Sequence, residues 1–431
     1  MIIHVVQQGD TLQKIATYYG TSVQILVQDN GLINPDSLVI GQCIIIAIPE
    51  TTYIVQEGDT LENIAYSHNV TLMQLFQNNP FLSDREYIFP GDRIVISYNK
   101  TGKLSTHGNA VPYINRETYR KTLPYLTYIS VVNYTATDTG DIVSYYDDEE
   151  FIQIAKDYSV MPLLFLTTLT LQGESNISTA YELLLREDSQ ERLLNNLLII
   201  LREKGFFGIN ISIEYIREGN LPYIERAYSS MAAKLKEEGF QVFVTINPNI
   251  SVIDDELVFQ RVDYTNLGII ADSITLMNYE WARNLNPPSP ISSINQIELY
   301  LEYLGSAIVP YMLSIGLATI GYDWELPFIA GISSVHALTH ASAVALARNE
   351  GAVIQFDEIS QTPYFVYSNS NNPFPVDHIV WFIDARSIDA LLRLVVEHDL
   401  KGTGIWNITV YNTQLWLIIN SQFEIEKIEM D

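Results

Sequence analysis

Short apolar runs alternate with amphipathic segments along the chain from residue 110 onward. The amphipathic segments carry apolar residues at helical spacing and close in glycine, as in "SQERLLNNLLIILREKG" over 189–205. This alternation predicts parallel strands joined by helices, and eight such units predict a closed (β/α)8 TIM barrel of the α/β class over 109–431. The eight predicted strands cover 110–114, 126–134, 161–169, 205–215, 240–248, 272–281, 312–322 and 402–408.

The gap between the seventh and eighth predicted strands is too long for a single helix. It contains a helix-like stretch, "SVHALTHASAVALARNEG", followed by the strand-like stretches "AVIQF", "TPYFVY" and "HIVWFI". Because helical and strand patterns mix there outside the regular alternation, we expect a small α+β insertion at about 325–383.

The first hundred residues contain an internal repeat. "VQQGDTLQKIATYYGTSVQILVQDN", from Val6, is matched by "VQEGDTLENIAYSHNVTLMQLFQNN", from Val55. In each copy a short strand leads into a Gly-Asp-Thr turn whose Asp or Thr can cap a helix, and a glycine precedes a final apolar strand. The repeat predicts two small βααβ modules, at 1–49 and 51–98, followed by a polar linker at 99–108.

The charge balance limits the classes of partner. With 51 acidic and 24 basic side chains, the formal net charge is −27. Nucleic acid is excluded as a partner, because phosphate binding requires clustered Lys and Arg. No run reaches the roughly 20 apolar residues of a membrane span. The N-terminus lacks the basic and apolar regions of a Sec signal peptide, so we expect synthesis in the cytoplasm without one.

The sequence also predicts that no metal and no cofactor is bound. The single cysteine, Cys43, lies in an apolar run and is expected to be a small buried residue rather than a ligand. His336 and His340 have i,i+4 spacing but lack the Glu of a zinc-protease helix, so a surface or packed helix is the better interpretation.

The fourth predicted strand carries a polar series that ends in a carboxylate. Asn210, Ser212 and Glu214 alternate with isoleucines, and a buried carboxylate is costly unless it is paired or used. Active sites of such barrels lie at the carboxyl ends of the strands. An acid, a phenol and an indole there suit a carbohydrate, since aromatic faces stack on sugar rings and a carboxylic acid can protonate a glycosidic oxygen. The residues expected beside Glu214 are Met277, Tyr279 and Glu280 toward the end of the sixth strand and Trp406 toward the end of the eighth.

The two repeats resemble LysM modules, which bind N-acetylglucosamine-containing polymers such as peptidoglycan and chitin. The resemblance implies a shallow sugar groove between the Gly-Asp-Thr turn and the loop after the later Asn, and two modules imply avidity for a repetitive ligand. The alternative is that these residues only cap helices and form turns. The implied glycan-binding residues are Gly9, Asp10, Thr11 and Asn30 in the first copy and Gly58, Asp59, Thr60 and Asn79 in the second.

The barrel resembles glycoside hydrolase family 18 in stretches such as "EKGFFGINISIEYI", "ADSITLMNYEW" and "LKGTGIWNI". With its two leading modules, the whole chain resembles the spore cortex-lytic N-acetylglucosaminidase branch. The resemblance implies substrate-assisted retaining hydrolysis of spore cortex peptidoglycan or another N-acetylglucosamine polymer, with Glu214 as acid and base, and a location in the spore coat or cortex. It also implies substrate binding by Met277, Tyr279, Glu280 and Trp406.

The family signature D-x-x-D-x-D-x-E is changed in this chain. Its four positions fall on Phe207, Asn210, Ser212 and Glu214, so the acid is retained and Asn210 matches the spore branch. Ser212 replaces the Asp that orients the acetamide and offsets the positive charge of the intermediate, and losing such a stabiliser costs roughly 3 kcal/mol, about a hundredfold in rate. Two hypotheses therefore remain: a weakened glycosidase, or a chitinase-like lectin that binds glycan as a structural protein of the spore.

Overall fold

The structure is a computed structural model of the 431-residue chain. It describes residues 1–83, 87–168, 177–213, 221–247, 250–253, 256–259, 263–277, 287–305, 307–369 and 375–428.

The first N-terminal module has the predicted βααβ order. Thr11 and Ser22 cap its two helices by accepting hydrogen bonds from backbone N–H groups in the first turns, and Gly20 and Gly31 end them with a positive φ. The first and last strands pair antiparallel. The elements are β1 Ile2–Val5, α1 Leu12–Tyr19, α2 Val23–Asn30 and β2 Cys43–Ile46.

The second module repeats this arrangement. Thr60 and Thr71 cap its helices, and Gln74 completes a capping box with Thr71. Each module encloses its own apolar cluster, which for the second includes Ile64 and Leu75. The elements are β3 Thr51–Ile54, α3 Leu61–Ser67, α4 Leu72–Asn78 and β4 Arg93–Ser97.

The described residues after the second module include the predicted closed barrel of eight parallel strands. Each barrel strand pairs with the next in chain order, and the first also pairs with the eighth, which closes the sheet. The short β7, Ile142–Ser144, pairs antiparallel with the second strand. The barrel strands are β5 Gly102–Ala110, β6 Tyr128–Ala136, β8 Met161–Thr167, β9 Gly208–Ile213, β10 Gln241–Ile246, β13 Ser273–Leu276, β14 Leu313–Ala318 and β20 Gly402–Trp406.

Helices surround the barrel, and their apolar faces pack on the outward-facing residues of the strands in one large core. A short hairpin of β11 Ile250–Ile253 and β12 Glu256–Phe259 follows the fifth barrel strand, and β21 Phe423–Ile425 pairs with β5. The helices are α5 Arg116–Thr122, α6 Glu149–Asp157, α7 Ile177–Leu185, α8 Glu187–Lys204, α9 Leu221–Glu237, α10 Thr265–Ile270, α11 Ile294–Gly305, α13 Ala385–Glu397 and α14 Thr413–Gln422.

The sequence-based placement of the first barrel strand was wrong. The segment 110–114 was expected to be that strand and 99–108 a polar linker, but the strand is Gly102–Ala110 and lies mostly within the expected linker. This strand reads as polar because Ser105, His107 and Asn109 are buried polar residues, which an apolar pattern does not detect.

The insertion before the eighth barrel strand is present. It is a five-stranded antiparallel sheet covered by one helix, whose Ala343 and Ala347 pack on Phe365 and Phe382 of the sheet side. The sheet begins at Ile320, directly after the seventh barrel strand. Its elements are β15 Ile320–Leu326, β16 Val335–Thr339, α12 His340–Asn349, β17 Gln355–Asp357, β18 Thr362–Asn369 and β19 Val376–Trp381.

The first module is docked on the barrel and on the insertion. The buried Cys43 thiol donates to Asp384 at 3.2 Å, and Gln414 of α14 donates to Asn30 and to the carbonyl of Cys43 at 3.0 Å each. The backbone N–H of Ile354, in the insertion, donates to the carbonyl of Ile40 at 3.0 Å.

The second module is docked in the same manner on the start of the barrel and on α14. Tyr125 donates to the carbonyl of Gln77 at 2.8 Å, and the Gln77 side chain donates back to Pro124 at 2.8 Å. Asn420 donates to Asn78 at 2.8 Å.

None of the helices in the described part of the chain combines the length and apolar character that a membrane crossing requires.

Candidate functional site at the carboxyl end of the barrel

A polar hydrogen-bonded layer crosses the barrel interior between four strands. Asn210 of β9 is completely buried; its amide nitrogen donates to the Ser130 hydroxyl at 2.9 Å, and its oxygen accepts from Thr245 at 3.0 Å. Ser130 in turn lies 2.7 Å from Nε2 of His107. Asn210 therefore occupies the centre of a satisfied network, as a buried amide requires.

His107 is neutral in this network. Burial, with a smaller effect from Lys401, lowers the pKa of His107 to about 3. Since Asn210 already donates to the Ser130 oxygen, the Ser130 hydroxyl proton is available to donate to an unprotonated Nε2 of His107. Below this layer, Tyr128, Met161 and Phe243 close the amino end of the barrel with apolar side chains.

Ser212 lies two residues further along β9, toward the carboxyl end, and pairs in register with Thr245. It is partly buried, so it lies between the closed interior and the barrel opening. Glu214, the predicted acid and base, lies outside the described residues. Phe207, at the first signature position, packs in the apolar floor beside Tyr128.

Trp406 ends the eighth barrel strand, as predicted, and its ring lies 6.1 Å from that of Phe165 on the third. The Trp406–Asn407 peptide bond is cis. Met277 is only 1% exposed and fills the space beside Gly316, where a Cβ would lie 2.4 Å from its sulfur. Tyr279 and Glu280, predicted beside them, lie outside the described residues.

Two asparagines near the same end were missed by sequence reasoning. Within the described ranges, the side-chain oxygens of Asn109 and Asn247 are buried and accept no hydrogen bond. Asn109 pairs in register with Trp406 and with Ser130, and its amide nitrogen donates to the Ile405 carbonyl at 3.1 Å. An unused buried acceptor is costly, so both oxygens are candidates for ligand contact. Asn109 lay next to the expected linker, where no strand pattern identified it.

In each of the two modules, the Gly-Asp-Thr turn caps the first helix and is exposed on the surface. Gly9 and Gly58 have positive φ and nothing near the position of a Cβ, which leaves the turns accessible. The Asp10 carboxylate accepts from the Gln7 backbone at 2.8 Å, and Asp59 accepts from Gln56 at 2.7 Å. Thr11 and Thr60 are the caps described above.

Asn30 and Asn79 have a different role from the predicted sugar contact. Each side chain donates to two carbonyls and accepts from the N–H of the last strand, which ties the second helix of its module to that strand. The amide nitrogen and oxygen of Asn30 and of Asn79 are all used in these buried bonds, so neither side chain is available to a sugar. This corrects their assignment as direct contacts; a buried amide that joins helix to strand explains the same position physically.

Nowhere in the described ranges do three or more His, Cys, Asp or Glu side chains cluster in a way that could hold a metal ion. The helix expected to carry both histidines begins only at His340, as α12; His336 lies exposed on the preceding strand, β16, which corrects that expectation. Burial raises the pKa of the Cys43 thiol well above its usual value, which fits the predicted role as a buried residue.

The fold is a (β/α)8 barrel, and its active sites lie at the carboxyl ends of the strands. Polar groups and an indole lie at that end here, which makes it a candidate carbohydrate site. Comparison with known families identifies it. The model described as "Glycosyl hydrolases family 18" matches residues 109–410, and the LysM domain matches residues 4–47 and 53–97. The chain belongs to glycosyl hydrolase family 18 and carries two LysM domains.

Similar proteins extend over the full length of the chain. The cortical fragment-lytic enzyme of Bacillus subtilis is 34% identical over 99% of both chains, and the putative sporulation-specific glycosylase YdhD of the same organism is 28% identical over 99% of this chain and 100% of its own. The crystal structure of the Bacillus megaterium spore cortex-lytic enzyme SleL is similar with a TM-score of 0.80, 28% identity and 99% coverage of both chains.

Proposed function

We propose that this protein hydrolyses the N-acetylglucosamine-containing glycan of spore cortex peptidoglycan and acts in the spore. The observation that carries the proposal is the full-length similarity to a cortical fragment-lytic enzyme at 34% identity, which covers both LysM domains and the barrel together. The acidic chain is compatible with this substrate, because a largely neutral glycan strand is not repelled by a net charge of −27.

In this proposal Glu214 protonates the leaving oxygen and later activates water, while the acetamido oxygen of the substrate is the nucleophile. Asn210 is a positioning residue. It holds the hydroxyls of Ser130 and Thr245 across the barrel interior, so the end of β9 is fixed from within. Tyr279, Glu280 and Trp406 are the proposed substrate contacts, and Trp406 supplies an indole face for a sugar ring. Met277, which is 1% exposed, is proposed to support these residues from the core rather than to touch the sugar.

Ser212 favours a second candidate function, a glycan-binding lectin without hydrolysis. It stands where the family has a carboxylate, and a hydroxyl can bond the acetamide but cannot offset the positive charge that develops on it. Glu214 and Asn210 keep the residue types of the spore branch, whereas Phe207 and Ser212 replace two carboxylates of the family signature. Since Phe207 packs in the apolar floor, the two functions differ mainly by the chemistry at position 212 rather than by the ligand.

Incubation of the purified protein with cortex peptidoglycan fragments, followed by assay of new reducing ends, tests the proposal. We expect release by the unmodified protein and a loss of about a hundredfold or more in a Glu214→Gln variant. Equal absence of release from both proteins, with glycan binding intact, would replace hydrolysis by the lectin function. A Ser212→Asp variant is expected to be faster by about a hundredfold, since it restores the missing charge.

A further inference from the structure

Two cavities lie where the LysM domains meet the rest of the chain. The first, of about 200 Å³, lies between the end of α2, the insertion and the loop that follows Trp406. The second, of about 480 Å³, lies between the two LysM domains and α14. Tyr411 and Thr413 line both cavities, so the two are neighbours that share a wall. Of the described residues, none in the turns 9–11 or 58–60 lines either cavity.

Two buried polar atoms on the walls of the first cavity have no partner among the described residues: Nε2 of His340 and Oε1 of Gln414. Gln414 is 2% exposed, and its amide nitrogen is already used by Asn30 and Cys43, so only its carbonyl oxygen remains. A buried polar group without a hydrogen-bond partner is costly. Two of them around one open space indicate a place for a hydrogen-bonding ligand.

The second cavity brings together a carboxylate, a guanidinium and a phenol. Asp29, Arg93 and Tyr98 line it, and none of the three makes a side-chain hydrogen bond or an ion pair with the described residues. Burial raises the pKa of Asp29 to about 6, although the charge of Arg93 opposes this. As far as the described part of the chain shows, these groups keep their hydrogen-bonding capacity, and they come from both LysM domains.

The mixture of donors and acceptors defines the ligand chemistry. A sugar hydroxyl donates to a carboxylate or to an amide oxygen and accepts from a guanidinium, so one neutral ligand satisfies all of these groups. A polyanion fits less well, because Asp29 lines the same cavity as Arg93 and its carboxylate would repel a negatively charged ligand. The first cavity adjoins the loop after Trp406, on the side of the barrel where the candidate site lies.

We propose that the two cavities form one binding track for an N-acetylhexosamine glycan strand, which extends from the end of the eighth barrel strand, beneath the first LysM domain, to the junction of the two LysM domains. The substrate class rests on the proposed function; the track itself rests on the shared wall and on the unpaired polar groups. A glycan strand in this track contacts both LysM domains and the barrel at once.

Isothermal titration with the hexamer and the dimer of N-acetylglucosamine tests the track. Every protein carries Glu214→Gln, so that hydrolysis does not interfere. His340→Leu in the first cavity and Asp29→Asn in the second are each expected to weaken hexamer binding about fivefold and to leave dimer binding unchanged. Because the sites are separate, the double variant is expected to lose about 25-fold. His336→Leu, on the exposed strand of the insertion, is the matched control and is expected to bind as its parent does.

Thermal unfolding of the same variants separates binding from folding. His340→Leu removes an unsatisfied buried nitrogen, so its melting temperature is expected to be equal to or above that of its parent. Hexamer affinity unchanged in both variants would overturn the track, as would an equal loss for the dimer, or displacement of the hexamer by trialanine. Absence of reducing-end release from the unmodified protein would reject hydrolysis alone, since the titration does not depend on it.

Discussion

An Asn79→Ala substitution distinguishes the structural role of this residue from the sugar contact implied by the resemblance to LysM modules. The Asn79 side chain donates to the carbonyls of Leu75 and Val95 at 2.9 and 2.8 Å and accepts from the N–H of Val95 at 2.8 Å. It is 1% exposed, and it joins the end of α4 to β4 beside a second bond, from Asn78 to the carbonyl of Ile96.

The expected magnitude follows from these three bonds. At about 1 kcal/mol for each hydrogen bond, and with a buried N–H of Val95 left without a partner, the substitution is expected to cost about 3 kcal/mol. The hydrophobic core of a domain this small contributes only about 3–5 kcal/mol to its free energy of unfolding. We therefore expect the second LysM domain to open locally while the barrel stays folded.

Amide hydrogen exchange at Val95 is the direct measurement. A cost of about 3 kcal/mol corresponds to exchange that is roughly 150-fold faster at this amide. Asn63→Ala, at an exposed position of the same domain, is the control and should leave the rate unchanged. Unaltered Val95 exchange together with weaker binding of the N-acetylglucosamine hexamer would refute the reasoning and return Asn79 to the set of sugar contacts.

The structure supports further predictions. Gly41→Val should undock the first LysM domain, because a Cβ there would lie 1.9 Å from the carbonyl oxygen of Ile354, whereas Gly9→Val, with a nearly equal positive φ of +86° against +87°, has open space and should not. Maleimide labelling of Cys43 reports the difference: fast labelling is expected only in Gly41→Val, and slow labelling of both would contradict the docking. A fall in pH from 6.5 toward 3 should destabilise the barrel through His107, since the unfolded chain then binds a proton that the folded chain excludes. The stability difference between the unmodified protein and His107→Gln should therefore change by about 1.4 kcal/mol per pH unit in this window, and parallel curves would refute it.

Apolar periodicity predicted the architecture well wherever side chains face an apolar core. The second to eighth barrel strands were found because residues such as Ile209 and Ile211 pack outward against helices and leave a clear alternating signal. The repeat located both LysM domains because capping threonines and turn glycines have fixed positions relative to each helix. The fold class and the family follow from those local signals.

Long-range polar contacts were not predictable in this way. The first barrel strand was missed because His107 and Asn109 face a hydrogen-bonded interior, so their partners lie on other strands rather than at a sequence spacing. Asn30 was assigned to sugar binding through the resemblance to LysM modules, and the sequence pattern alone does not show whether its amide faces solvent or a buried strand. The docking of the LysM domains likewise depends on residues more than 300 positions away, such as Gln414 with Cys43.

The docked arrangement changes how two glycan-binding domains can assist a barrel enzyme. Domains on a flexible linker raise the effective concentration of any ligand that they share, with a dependence on linker length. Here only residues 98–101 separate β4 from β5, and the backbone N–H of Thr101 is bonded to the carbonyl of Gln422, so no such linker exists between these elements. The LysM domains thus hold a fixed position relative to the barrel opening. The LysM domains therefore raise the affinity of the barrel for a glycan strand only if the strand can contact the LysM domains and the barrel opening at the same time. This requires a sufficient length and a matching shape. The benefit should therefore appear as a threshold in ligand length rather than as a gradual rise in affinity, because a rigid spacing is either spanned or not spanned.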